Sequence, residues 1–173
     1  MEYNPKIDDV FDAIQTGTIS TLQQLIETNA SLANAESKDG LTPLGFAAHY
    51  GNIDAVQILI NHNADVNAVS HSKLSFIPSN TALHSSLAGA RNIDVIKLFL
   101  AHQAQTNIFD SNGHTCVHTA AFHDDNLDII RLLVDHGADV NAKVEGGDSA
   151  LALAVQQGNN RVVELLRQLG ATM

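Results

Sequence analysis

Ala64-Asp65-Val66-Asn67-Ala68 returns seventy-odd residues later as Ala138-Asp139-Val140-Asn141-Ala142, and this pair of phrases decides the fold. A worn copy, Ala104-Gln105-Thr106-Asn107, lies between them, and Ala30-Ser31-Leu32-Ala33-Asn34 precedes both. The closing asparagines fall at 34, 67, 107 and 141, so the spacings are 33, 40 and 34 residues. Self-similarity at such a period marks a stack of small units, because one unit cannot bury its apolar face alone.

A second phrase keeps step with the first. Thr42-Pro43-Leu44-Gly45-Phe46-Ala47-Ala48 is followed by Thr81-Ala82-Leu83-His84-Ser85-Ser86-Leu87, by Thr115-Cys116-Val117-His118-Thr119-Ala120-Ala121 and by Ser149-Ala150-Leu151-Ala152-Leu153-Ala154-Val155. The distance from each asparagine to the next Leu or Val of this phrase is ten residues at three junctions. From Asn67 to Leu83 it is sixteen, which places a six-residue insert within Val69 to Asn80.

Each unit reads as two short helices. Thr42, Thr81, Thr115 and Ser149 suit the N-cap of the first, with Pro43 in its first turn. The second begins near Asn52, Asn92, Asn126 and Asn160, each a capping residue. Ile53, Val56, Leu59 and Ile60 form one apolar stripe, repeated by Ile93, Ile96, Phe99 and Leu100 and by Leu127, Ile130, Leu133 and Val134. Asn63 and Gly137 end second helices, and Asp39-Gly40 and Asn112-Gly113 supply tight turns. At the amino-terminal end, Asn4-Pro5 would cap a helix running to about Thr16, and Ser20-Thr21-Leu22-Gln23 a capping box for the next. The last helix interleaves Arg161, Glu164, Arg167 and Gln168 with apolar positions, as the water-facing end of a stack should.

In these two phrases the chain resembles the ankyrin-repeat family, matching Thr-Pro-Leu-His-x-Ala-Ala and Gly-Ala-Asp-Val-Asn-Ala over roughly residues 5 to 173. Gly45 and Ala152 depart from the histidine of the first phrase. The third unit is worn and carries the insert, and one further residue lengthens the link between paired helices near Gly89-Ala90-Arg91 and Asp124-Asp125. The expectation is an all-α solenoid of about five units in one domain, 1–173. The unit limits are near 5–35, 36–68, 69–108, 109–142 and 143–173, with the insert at 69–80.

Composition narrows function. The chain has 173 residues, with 9 Lys plus Arg against 19 Asp plus Glu and a net charge of −10, which disfavours direct contact with nucleic-acid backbones or anionic lipid. A protein partner with a basic face is one reading; an acidic surface that only keeps the stack soluble is the other. Cys116 is the lone cysteine, so no internal disulfide can form. The amino terminus has no apolar signal region and no stretch reaches the ~20 apolar residues needed to span a bilayer. A soluble, cytoplasmic monomer is expected, with the nucleus open to it in a eukaryote, and no cofactor.

The resemblance implies first helices that line a concave surface, with turns projecting beside it, and a non-catalytic role as inhibitor, anchor or accessory subunit. An acidic decoy masking the basic surface of a nucleic-acid-binding protein is the more specific alternative. Carried onto this chain, the docking residues are Leu41, His49, Tyr50, His114, Phe122, His123, Asp148, Gln156 and Gln157. Ala88 and Gly89 leave a depression between them. Tyr50, Phe122 and Leu41 are the anchor candidates, since large rigid side chains dominate interfaces. The alternative for Tyr50 and Phe122 is that they fold back over neighbouring helices. The insert adds Phe76 and Ile77, on either a recognition finger or a lid over the groove, the finger being preferred.

Nine histidines raise the question of metal or acid–base chemistry. His62, His102 and His136 share one register near the end of the second helix. His84 and His118 share another, at the histidine of the family phrase. Stacked units hold such positions ~10 Å apart, whereas zinc-bound imidazole nitrogens lie ~3–3.5 Å from each other. The first set suits the negative helix end; the resemblance implies that the second braces adjacent turns. His114, His118 and His123 need not converge. An enzyme using Cys116 as a thiol nucleophile with His118 is the remote alternative, against a small buried core residue at 116. Asn67 and Asn141 lie in a context resembling the asparagine-hydroxylation target of animal ankyrin proteins, where a buried structural role is a sufficient account.

Overall fold

Residues 6–173 are described by a computed structural model. They form α1 (Ile7–Thr16), α2 (Ile19–Thr28), a 3₁₀ turn (Ala30–Asn34), α3 (Pro43–His49), α4 (Ile53–Asn61), α5 (Ala82–Ala88), α6 (Ile93–Ala101), α7 (Cys116–His123), α8 (Leu127–Asp135), α9 (Ala150–Gln157) and α10 (Asn160–Gln168). No strand occurs among the described residues, and no helix there is long and apolar enough to cross a membrane. The all-α stack expected from the paired phrases is the one found. The connection from Asn61 to Ala82 is six residues longer than those from Thr28 to Pro43, Ala101 to Cys116 and Asp135 to Ala150, which locates the insert.

Consecutive helices pair as hairpins, and α1, α3, α5, α7 and α9 follow one another in a single row. Small buried residues let these helices approach closely: Ala47 and Ala48 on α3, Ala120 and Ala121 on α7, Ala154 on α9. The second helices supply the large core side chains, with Val56, Leu59, Ile96, Phe99, Ile130, Leu133 and Leu166 all fully buried. Ile53 departs from its stripe and stays 39% exposed, because Ala55 takes the inward position beside Val56.

Capping follows the sequence closely. Thr42 Oγ1 accepts from Gly45 N at 3.1 Å and Ser149 Oγ from Ala152 N at 3.1 Å, while Thr115 and His118 form a reciprocal capping box. Asn52, Asn92 and Asn126 accept from the first turns of α4, α6 and α8. Two expectations are corrected. The helix α2 begins at Ile19 rather than after Ser20, because the left-handed Gly17 reverses the chain and Thr18 N already bonds Ala13 O. The cap of α10 is Asn159, not Asn160, and its side chain is turned away to donate to Ala121 O at 2.9 Å. The Asn4-Pro5 cap lies outside the described residues.

The recurring asparagines form a ladder between units. Asn34 Oδ1 accepts from Asp65 N at 2.7 Å, Asn67 Oδ1 from Gln105 N at 2.8 Å, Asn107 Oδ1 from Asp139 N at 2.9 Å and Asn141 Oδ1 from Thr172 N at 2.8 Å. Each side-chain amide also donates to the carbonyl that ends the next second helix: Asn63, Gln103, Gly137 and Gly170. Asn67 is half-buried and Asn141 exposed, which corrects the expectation of burial; their structural role comes from these bonds. Such bonds are worth about 1 kcal/mol each, less than the ~1.5–3 kcal/mol of one fully buried aliphatic side chain. The ladder therefore sets spacing and register, and the apolar spine supplies most of the stability.

Candidate functional site

The first helices carry few large side chains, so the surface they line is hollow. Two adjoining cavities occupy it over α3, α5 and α7. The smaller, about 170 Å³, is walled by Leu41, Phe46, Tyr50 and Ile77, with Thr42, Gly45, Asn80 and Ser85 beneath. The larger, about 340 Å³, is lined by His49, Phe76, Ile77, Pro78, Ala88, Phe122 and His123 and reaches Asp110 and His114. His49, Ile77, Asn80 and Ser85 belong to both, so the insert residue Ile77 stands on the ridge between them.

The small cavity has a cause that can be traced to one departure from the family phrase, Gly45, together with the insert. At the equivalent places in the next units, His84 Nε2 meets the His114 carbonyl at 3.1 Å and His118 Nε2 meets the Asp148 carbonyl at 3.1 Å. In the second unit that ring is absent, because the residue is Gly45. The carbonyl such a ring would serve, that of Asn80, accepts instead from Ser70 N at 2.9 Å across the neck of the insert. Removing an imidazole leaves the space that Phe46, Tyr50 and Ile77 enclose.

The insert is fastened at its base on both sides. His71 N donates to Gly40 O at 3.0 Å and Lys73 N to Asp39 O at 2.9 Å; Ser111 N donates to Ser79 O at 2.9 Å and Ser79 N to Ser111 Oγ at 2.9 Å. His71 Nδ1 lies 2.8 Å from Glu36 Oε1. The tip leaves Phe76 79% exposed while Ile77 leans into the groove. The segment is thus part finger and part wall.

Tyr50 and Phe122 are 50% and 39% exposed. Tyr50 is not free-standing: its ring meets Phe46 edge-on at 5.0 Å, and Phe46 meets Phe11 of α1 at 4.8 Å. Phe122 packs edge-on against His123 at 4.9 Å. Both keep an open face, so covering a neighbour and presenting a contact surface coexist. Of the residues singled out in the sequence, Leu41, His49, Tyr50, Phe76, Ile77, His114, Phe122 and His123 come together around the two cavities. Asp148, Gln156 and Gln157 are exposed but line neither, since they sit one unit further along. Gly89 does not open the groove; it is packed against the His49 carbonyl, and Ala90 N donates to that oxygen at 2.8 Å. The sequence reading missed Phe46, Asn80 and Ser85, for which Gly45 was the available signal.

The histidines separate by register. His62 Nδ1 and His136 Nδ1 lie 2.8 Å from the Ile58 and Leu132 carbonyls of their own helices. His84 and His118 are buried braces. A carbonyl can only accept, so Nε2 carries the proton and Nδ1 receives the hydroxyls of Thr81 and Thr115, each at 2.8 Å. The His114 and His118 rings do converge, stacked at 5.6 Å, because the turn before Thr115 folds back over α7. Cys116 is fully buried, and burial, aided by the Asp110 charge, drives its thiol far above the ordinary range; Sγ is 3.8 Å from His84 Nδ1. A thiol so protonated and enclosed is no nucleophile. Among the described residues, no group of three His, Cys, Asp or Glu side chains is placed to hold a metal ion.

Burial pushes the His84 and His118 rings below the ordinary 6.5, with their carbonyl partners opposing. The unfolded chain therefore takes up protons first. Stability from these two rings is complete above pH 6.5 and is lost as pH falls from there through the folded values. Urea midpoints measured from about pH 8 to about pH 5 should be level down to the mid-sixes and then decline, with a shallower decline in His118→Asn. An unchanged slope in that variant would remove the brace from the account.

A family model described as ankyrin repeats (three copies) matches residues 10–110, 70–144 and 87–173. Over 107 residues the chain is 28% identical to ankyrin repeat and SAM domain-containing protein 6 of Rattus norvegicus, an alignment covering 62% of this chain and 11% of that protein. It is 40% identical over 58 residues to ankyrin repeat domain-containing protein 49 of Bos taurus, covering 34% and 24%. To inversin of Mus musculus it is 34% identical over 95 residues, covering 55% and 8%. The aligned parts thus span a quarter or less of the length of these relatives.

Proposed function

The chain belongs to the ankyrin-repeat family, whose repeats are generally protein–protein interaction modules, and from that premise we propose that it captures a partner protein in the groove over α3, α5 and α7 without catalysing a reaction. The observation that carries this reading is the pair of adjoining cavities, rimmed by half-exposed aromatic rings and divided by Ile77. Large side chains poised beside unfilled apolar space are the features that concentrate binding energy at interfaces.

Tyr50→Ala combined with Phe122→Ala should abolish partner capture. Helicity should be retained and the melting temperature should change little, because both rings lie at the rim and neither is buried. The check is quantitative affinity capture from extract of the native cells, wild type against the double variant, with circular dichroism on both. A double variant that retains the same proteins equally well would move the docking surface elsewhere. A third arm, lacking residues 71–79, separates the finger from the wall: equal capture would leave Phe76 and Ile77 without a recognition role.

A further inference from the structure

We propose that the groove is built for an extended segment that places an aliphatic or aromatic side chain in the small cavity and a lysine or arginine beside α1. This deepens the docking role proposed above and rests on it. The first-helix row is almost devoid of formal charge: α3, α5, α7 and α9 contain no Asp, Glu, Lys or Arg. The exception is α1, which holds Asp8, Asp9 and Asp12 and no basic residue.

Helical spacing sets where that charge points. Val10, Ala13 and Ile14 are buried, whereas Asp8 and Asp12 are exposed one turn apart, and Asp8 lies one turn before Phe11 on the adjoining face. Phe11 meets Phe46 at a tilt with ring centroids 4.8 Å apart, and Phe46 is a wall of the small cavity. The acidic face therefore begins one ring away from the apolar pocket. Neighbouring helices stand ~8–10 Å apart, and an extended chain advances ~3.3 Å per residue, so anchor and cation should be separated by about two to four residues. An isolated cation would gain little from exposed carboxylates; held near them by the anchor, it discriminates among partners and is sensitive to salt.

The test is selection of linear peptides from a random phage-displayed library on the full chain. Wild type should enrich a large apolar residue spaced two to four positions from Lys or Arg. On Asp8→Asn/Asp12→Asn the basic preference should disappear while the apolar one remains. A synthetic peptide from the wild-type selection should bind Tyr50→Ala/Ile77→Ser at least tenfold more weakly, and added salt should weaken its binding to wild type more than to the Asn variant. Circular dichroism confirms that each variant is folded. Anchored peptides without basic enrichment, or basic enrichment that survives loss of both aspartates, would overturn this inference and leave the groove reading intact. Failure to enrich any peptide sensitive to the Tyr50/Ile77 variant would overturn both.

Discussion

Alanine in place of His118 is expected to lower the unfolding free energy by about 3–5 kcal/mol, with a melting temperature about 10–15 °C lower. The ring is fully buried and serves three partners: the Thr115 hydroxyl at 2.8 Å, the Thr115 amide at 3.1 Å and the Asp148 carbonyl at 3.1 Å. Truncation removes apolar contacts and leaves a cavity at the joint between α7 and the turn before α9. It also strands the Thr115 amide, which is buried and cannot turn to water. His136→Ala is the control, since that ring is exposed and bonds only within its own helix; its effect should stay within about 0.5 kcal/mol. Urea unfolding of the two variants decides the matter, and equal losses would mean that register does not determine what a histidine does here.

That contrast marks what could be read from the sequence. Register was legible because it is local and repeated: hydroxyl caps at 42, 81, 115 and 149, asparagine caps ahead of second helices, and closing asparagines at a fixed distance from both. The insert was legible as an excess in one spacing. What escaped depends on how turns and neighbouring units meet in space rather than on spacing within one unit. Gly45 appeared as a missing histidine, yet its consequence needs the Asn80 carbonyl to be occupied by Ser70. The stacking of His114 on His118 needs the turn to fold back over α7. Asn159 rather than Asn160 precedes α10, and its amide is claimed by a carbonyl of the preceding unit, that of Ala121, instead of the helix's first turn. Most of the groove's aromatic rim was named in advance; its division into two cavities was not, because Ile77 reaches the ridge only after the insert is fastened to both neighbouring turns.

Gly89→Ala is the smallest change expected to damage the groove and the fold together, at a cost of about 2–4 kcal/mol. Read from the sequence, Gly89 looked like open surface beside Ala88. In the structure, a Cβ at this position would lie on the carbonyl oxygen and carbon of His49, with the His49 ring nitrogen 2.7 Å away. The ring can rotate aside, but the carbonyl is part of the end of α3 and cannot. The remaining relief is for α5 to move away from α3, which breaks the 2.8 Å bond from Ala90 N to His49 O and spreads the walls of the larger cavity. Gly158→Ala separates crowding from backbone preference: Gly158 has a left-handed φ of 73° with no atom within 4 Å of an added Cβ, so only the conformational cost of about 1 kcal/mol applies. Thermal melts should therefore rank wild type, Gly158→Ala and Gly89→Ala in falling order, and hydrogen exchange at Ala90 should accelerate in the last alone. A Gly89→Ala protein that melts with wild type and protects Ala90 would show that the two first helices are not held by this contact.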